Sequence, residues 1–469
     1  MISPSRTEIL ARMRYDLDFR VMPELQTDYV RSLVTHMSEL LRLLAVDEDE
    51  MARIDSDFHD QSERICAQAN AGGSEEGSLS ATPIAEVAER AEQLVGSLAL
   101  RDDPQARGWD RGLIAAEIDL FARHRDAALK QIDRDNTRFA DPQPVTINAV
   151  QSYLSARYPS QPSLRVVELS QVAGGWSKDT FIADITGWDG ASRIVIRKDV
   201  PASTTEAKVA DEAKIFEALE KVNFPAPRAL WLELSSEPLG QPFLVVDHLE
   251  GKAEIMPAWR DDPVVVRTAS LDFARILARL HSIPLEAVGY PIGEFGGDTS
   301  ALVHAMVDHW HDVWRRNHHL ASPTLRRAFA WLKDNVPQGD GRMAFVHGDA
   351  GWHNVLVHNG AITGLLDWEF AHPGDPAEDI SYVRRFIEPM INWQDFMDAY
   401  VEAGGALERP DAASWYEVWR SVRNAVCCCL GQSAFTSGIN PQFKFNVVGV
   451  SLYRKFILDV AANLQRVGA

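Results

Sequence analysis

Three side chains in the second half of the chain are spaced for phosphoryl transfer. Within Phe345–Tyr382 (FVHGDAGWHNVLVHNGAITGLLDWEFAHPGDPAEDISY), Asp349 precedes Asn354 by five residues, and Asp367 closes an apolar segment further on. Val355–His358 and Ala361–Leu366 read as strands joined by Asn359-Gly360, a strong hairpin signal because a type I′ turn needs positive φ at both positions. A two-residue loop pairs His358 with Ala361 and, counting back, Asn354 with Leu365. Asp367 then falls two residues beyond, on the same face and about 7–8 Å away. A carboxamide, a carboxylate and a loop carboxylate therefore meet at one mouth. Hard oxygen donors of this kind suit Mg2+, which takes a few protein oxygens together with substrate phosphates. In kinases an aspartate orients the attacking hydroxyl while an asparagine and a second aspartate hold the metal. Any one of the three could instead be capping a turn; the spacing of all three together favours the metal site.

The elements upstream have to position the phosphates. Ala173–Thr180 (AGGWSKDT) lies between two β-rich segments, and its Gly174 and Gly175 allow backbone N–H groups to approach phosphate, with Ser177 as a hydroxyl donor. The stretch matches neither GxGxxG nor GxxxxGK[ST], so an ordinary hairpin turn remains its alternative. The third strand of this meander ends in Arg197 and Lys198. Side chains alternate along a strand, so only one of these cations enters a cleft. The V-A-I-K comparison selects Arg197, whose fork can grip phosphate oxygens, and leaves Lys198 as the alternative. On the next helix Glu212 lies beside the apolar stripe of Val209, Ala213, Phe216 and Leu219, so it faces inward as a partner for the cation. Leu244–Gly251 (LVVDHLEG) is a strand running into a glycine-containing connection, where Asp247 and Leu249 would present backbone groups to a nucleotide base.

These motifs resemble the aminoglycoside phosphotransferase and choline kinase-like small-molecule kinases. HGDAGWHNVL is similar to the family's catalytic loop, LLDWEFAHPGDPAEDI to its metal-binding segment and following helix, and LARLHSIP (Leu277–Pro284) to the helix before its acceptor region. The resemblance covers roughly residues 165–465. It implies an α+β, bilobal protein-kinase-like fold, with a small antiparallel-sheet N-lobe and a mostly helical C-lobe. It further implies Asp349 as catalytic base, Asn354 and Asp367 as Mg2+ ligands, Arg197–Glu212 as the phosphate-gripping ion pair, and ATP or GTP as co-substrate. Many members have Lys where this chain has Arg197. GGWSKDT, RIVIRK and DWEFAHPGDP look most like a subgroup allied with acyl-CoA dehydrogenases, whose members phosphorylate hydroxyacyl-CoA. An aminoglycoside or macrolide kinase is the second reading, and a catalytically inactive nucleotide-binding scaffold the third. The retained Asp349, Asn354 and Asp367 count against the scaffold. The missing GxGxxG, DWE in place of DFG, and the lack of an APE segment count against a protein kinase.

The remainder of the chain sets the frame. At 469 residues it exceeds one compact core, and 46% hydrophobic with 24% charged residues is ordinary for a folded protein. Residues 1–140 carry helical periodicity (Ile9, Met13, Leu17, Val21) and suit an all-α bundle, serving as a cap or a homodimerisation module. Two prolines in 141–148 mark a boundary, after which we expect an N-lobe over 141–250 and a C-lobe over 251–469. A net charge of −20 without a basic run argues against nucleic acid as partner. No apolar run approaches the ~18–20 residues of a membrane helix, and the N-terminus has charges where a signal peptide is apolar. Cys66 and the consecutive Cys427, Cys428 and Cys429 suit core positions in a reducing cytoplasm, not a disulfide framework or a CxxC metal site. Arg384–Arg423 is nearly balanced in charge and rich in aromatics (Phe386, Trp393, Phe396, Tyr400, Trp415, Tyr416, Trp419), which predicts an apolar acceptor pocket for a small uncharged or anionic hydroxyl compound.

Overall fold

The computed structural model describes residues 145–172, 175–289, 299–318, 321–338, 343–407, 409–437, 439–440 and 443–469. It also describes 48–70, 91–95, 111–123 and a few residues near 14–22, 31–38 and 89. The chain packs into two compact units. One comprises Met1–Pro142, Val307–Asn335 and Val418–Ala469, the other Gln143–Met306 and Val336–Glu417.

The described residues of the first unit are mostly helical, including Glu48–Asn70 before residue 140. Its helix Pro323–Asp334 begins at Ser322, whose hydroxyl accepts from Leu325 N. The free N–H groups of that first turn are also met by acids from elsewhere in the chain: Ser322 N donates to Glu92 at 3.1 Å and Thr324 N to Glu117 at 2.8 Å. Glu117 is buried, and desolvation pushes its carboxyl up to about 7 despite those hydrogen bonds.

The second unit opens with helix α1 (Ile147–Arg157) and an antiparallel sheet. Its strands are β1 (Arg165–Gln171), β2 (Lys178–Thr186), β3 (Arg193–Asp199), β4 (Ala229–Glu233) and β5 (Phe243–Asp247), in the order β1-β2-β3-β5-β4. Strand alternation splits its apolar residues between two layers. Phe243 and Val245 join Val150 and Leu154 of α1 on one side, while Leu244 and Val246 join Val209, Phe216 and Leu219 of helix α2 (Val209–Lys221) on the other. The sequence suggests α2 from about 203, but it starts at Val209. The segment before it is tied to β2 and β3 instead: Ser203 Oγ donates to the Ser177 carbonyl at 3.0 Å, and Val209 N donates to the Asp199 carboxylate at 3.2 Å.

A helical layer follows, with α3 (Pro263–His281), α4 (Ala377–Ile387) and α5 (Trp393–Glu402). Two small ribbons lie within it: β6 (Ala344–Val346) pairs with β9 (His372–Gly374), and β7 (Val355–His358) pairs with β8 (Ala361–Leu365). Asn359 and Gly360 take φ of 50° and 80°, the turn the dipeptide predicts. The register differs from the expected one. A bulge at Thr363, whose hydroxyl donates to the Glu250 carbonyl at 2.5 Å, pairs Val355 with Leu365. Asn354 therefore lies opposite Leu366, whose N–H donates to the Asn354 carbonyl at 2.8 Å. The aromatics expected to line an acceptor pocket mostly fill the interior: Phe396, Tyr400, Trp415, Tyr416 and Trp419 are buried, while Phe386 and Trp393 are half-buried. Among the described residues no helix is long and apolar enough to cross a membrane.

Candidate active site

The loop after β6 is held by a buried acid. Asp379, in the first turn of α4, accepts from His347 N and Gly348 N, each at 2.8 Å, and from His281 Nε2 at 3.0 Å. His281 in turn meets the Tyr400 hydroxyl at 2.7 Å. Burial opposes the charge on Asp379, but the hydrogen bond and charge of His281, aided by His347, hold its pKa below the usual carboxylate range. Gly348 takes φ of 75°, a left-handed turn that suits glycine. His347 is fully buried; its Nε2 meets the Leu366 carbonyl at 2.9 Å and its ring packs on Trp368. This brace fixes where Asp349 emerges.

Asp349 is gripped from its own loop. Asn354 Nδ2 donates to Asp349 Oδ2 at 2.9 Å and to the Asp349 carbonyl at 3.0 Å, and His353 Nε2 lies 3.1 Å from the same carboxylate oxygen. With its amide nitrogen turned to Asp349, Asn354 keeps its carbonyl oxygen on the other side of the amide.

Asp367 adopts φ of 64° and meets the sheet through Arg197. Arg197 Nη2 donates to Asp367 Oδ1 at 3.0 Å, while its Nε and Nη2 donate to the two oxygens of Glu212 at 2.8 Å each. Burial alone would weaken the charge of Arg197, yet Glu212 and Asp367 more than offset it and its pKa rises. For Glu212, burial opposes the charge and Arg197 prevails, so its pKa is lowered. Lys198 points elsewhere, 3.2 Å from Asp179.

Sequence reasoning missed Glu369. It sits two residues past Asp367, accepts from Thr205 Oγ1 at 3.3 Å and bonds the Ser177 hydroxyl. Desolvation, then the charge of Asp367, push its carboxyl up to about 8. Glu212, Asp367 and Glu369 each offer an oxygen within 4.8 Å of the others. The available signal was its place in DWE, two residues past Asp367, which keeps the two carboxylates close along the chain. This all-oxygen donor set, with Arg197 bonded to Glu212 and Asp367, fits a hard divalent ion.

The remaining expected residues are more scattered. Gly175 has no room for a side chain, since a Cβ would lie 2.5 Å from the Lys178 carbonyl, whereas Gly174 lies outside the described residues. Ser177 is buried with its hydroxyl on Glu369. Asp247 is engaged with Arg228: its carboxylate accepts from Arg228 N at 2.6 Å, and its own N–H donates to the Arg228 carbonyl at 3.1 Å. Leu249 reaches the β7–β8 hairpin, where a Cβ on Gly364 would lie 2.5 Å from it.

The profile of the phosphotransferase enzyme family matches residues 168–418, more than half of the chain. The chain belongs to that family. Among curated proteins, this phosphotransferase is 26% identical over 278 residues to rat acyl-CoA dehydrogenase family member 11, covering 56% of this chain and 34% of the relative. The human protein of that name is 24% identical over 314 residues, covering 62% of this chain and 36% of the relative. The chain thus spans about a third of the length of the curated relatives it matches. A solved structure from Ralstonia eutropha, described as a "putative aminoglycoside phosphotransferase", superposes with a TM-score of 0.50 at 16% identity, covering 67% of this chain and 98% of the other. At that identity the likeness concerns the fold, a kinase-like one that this phosphotransferase shares.

Proposed function

We propose that this phosphotransferase moves the γ-phosphoryl group of ATP or GTP to a hydroxyl of a small molecule in the cytoplasm. The observation that carries the reading is the pairing of Asp349 with Asn354 at 2.9 Å beside the Arg197–Glu212–Asp367 network. Asp349 accepts the proton of the attacking hydroxyl as its oxygen bonds to phosphorus and the bond to the nucleoside diphosphate breaks. Asn354 and Asp367, with Glu369 adjacent, would hold Mg2+; when bound, it neutralises charge on the phosphates. Arg197, held by Glu212, faces the same mouth and supplies a fixed cation for the phosphate oxygens. Gly175 and Ser177 belong to the loop that covers them, and Asp247 and Leu249 to the segment that would receive the base.

For the acceptor, hydroxyacyl-CoA is the first compound to test. The support is the similarity to proteins named acyl-CoA dehydrogenase family members, together with the cation Arg385 on the helix beside Asp349. The Ralstonia likeness favours a second reading, an aminoglycoside, but such a polycation is best met by a cluster of carboxylates. Asp349→Asn tests the assignment: we expect a ~10²–10⁴-fold loss of phosphoryl transfer with nucleotide affinity nearly unchanged. Retention of more than about a tenth of wild-type turnover would remove Asp349 from the role of base.

A further inference from the structure

An aromatic shelf leads away from Asp349 and ends in an exposed cation. His353, whose Nε2 is 3.1 Å from the Asp349 carboxylate, packs its ring against Tyr382 at 6.3 Å and Phe386 at 5.7 Å between centroids. Tyr382 and Phe386 are one helical turn apart on α4 and face the same side. Arg385, between them in sequence, lays its guanidinium over Phe386 at 4.7 Å and over Tyr382 at 5.2 Å. The groups from Asp349 to Arg385 are therefore in sequential contact.

The neighbouring arginine shows what distinguishes this one. Arg384 bonds Glu388 at 2.7 Å and covers Trp393, so its charge is already matched. Arg385 is exposed, and its recorded contacts among the described residues are the two aromatic rings. Stacking occupies the faces of a guanidinium and leaves its N–H edges free for an oxyanion, which a lysine could not present in the same planar fork. The shelf presents aromatic rings, with Phe386 the apolar one next to Arg385, where a spacer between two polar ends can lie.

We propose that Arg385 binds the anionic end of the acceptor. The substrate is then an alcohol whose hydroxyl reaches Asp349 and whose apolar spacer crosses Phe386 to a carboxylate or phosphate. The inference rests on the reading of Asp349 as the base.

The test uses the full-length protein and two acceptor pairs that differ by the anion. One pair is a hydroxyacyl-CoA and the corresponding hydroxyacyl-pantetheine, which lacks the phosphates. The other is a hydroxy fatty acid and its methyl ester. Arg385→Gln is expected to raise KM for the anionic member of one pair roughly tenfold or more, the size of a hydrogen bond to a charged group. KM for its neutral counterpart and for the nucleotide should not change, and Arg385→Lys should recover part of the loss. Whichever pair responds identifies the anion as phosphate or carboxylate. Equal changes for charged and neutral acceptors, or no change, would overturn the proposal. So would phosphorylation confined to polycationic aminoglycosides. If none of the four acceptors is phosphorylated while Asp349-dependent nucleotide turnover persists, the Arg385 proposal fails and the phosphotransferase reading stands. If nucleotide neither binds nor turns over, both fail.

Discussion

Replacing Arg197 separates what the buried ion pair does for the fold from what it does for the reaction. Glu212 is 1% exposed and Arg197 14%, and two hydrogen bonds of 2.8 Å join them. Arg197→Met leaves Glu212 as a buried carboxylate near Asp367 and Glu369, all three offering oxygens within 4.8 Å of one another. Removing one partner of such a pair costs about 3–5 kcal/mol, whereas replacing both with apolar groups of similar volume is often nearly neutral. We therefore expect Arg197→Met to be destabilised by that amount near pH 8, and Arg197→Met with Glu212→Leu to recover most of it. Both should lose phosphoryl transfer. The pH dependence carries the sign. In the wild type the pKa of Glu212 is lowered, so its contribution is present above its unfolded value of 4.5 and lost as pH falls. Without Arg197, burial outweighs the remaining charge of Lys178 and raises that pKa, so the variant loses stability as pH rises above 4.5. The gap between wild type and variant should be wide at pH 8 and narrow at pH 5. Urea denaturation followed by circular dichroism at the two pH values measures it. An equal gap at both, or a double variant less stable than the single one, would refute the reasoning.

Three further outcomes follow from neighbouring groups. Lys198→Ala should keep turnover within about threefold of wild type, since strand alternation turns it away from the cleft and its side chain is paired with Asp179, not with the Arg197 network; a steady-state assay against Arg197→Ala decides the ranking. Asp367→Ala should abolish the Mg2+ dependence of nucleotide affinity, measured by titration calorimetry with and without the metal; an unchanged dependence would place the ion elsewhere. Glu117, raised to about 7 in the fold from 4.5, should make the wild type lose stability as pH rises from 4.5 through 7, by up to about 3 kcal/mol. Glu117→Gln, which keeps an acceptor for Thr324 N, should flatten that slope in denaturation curves at pH 5 and 8.

What could be read from the sequence was whatever depends on near neighbours. Asn359-Gly360 specifies its own turn, and the three-strand meander shows in its β-branched runs. The Asp349–Asn354 spacing lies within one loop, so the Asn354 amide reaches the Asp349 carboxylate. The bulge at Thr363 escaped because its cause is distant in sequence, a hydroxyl bonded to the Glu250 carbonyl. Strand β4 was missed for a related reason: five residues at a sheet edge, Ala229–Glu233, take their pairing from β5 alone.

The choice between Arg197 and Lys198 shows where local pattern ends. Alternation requires the two to face opposite sides of β3, but which side is inward is set by how the sheet packs. Ile194 and Ile196 lie with α1, so the residue of opposite parity, Arg197, faces α2 and meets Glu212 there. The same logic explains Asp379. Nothing in DPAEDI marks its second aspartate, because its role depends on His281 and the turn at His347–Gly348, which reach it from other parts of the chain. Glu369 combines both cases. Its spacing from Asp367 is local, but its raised pKa comes from burial and from Asp367, against the opposing charge of Lys178 and the hydrogen bond of Ser177. A reading of this fold that stops at the sequence motif therefore finds the groups at the mouth, with Glu212 behind Arg197, and misses Asp379 and Glu369.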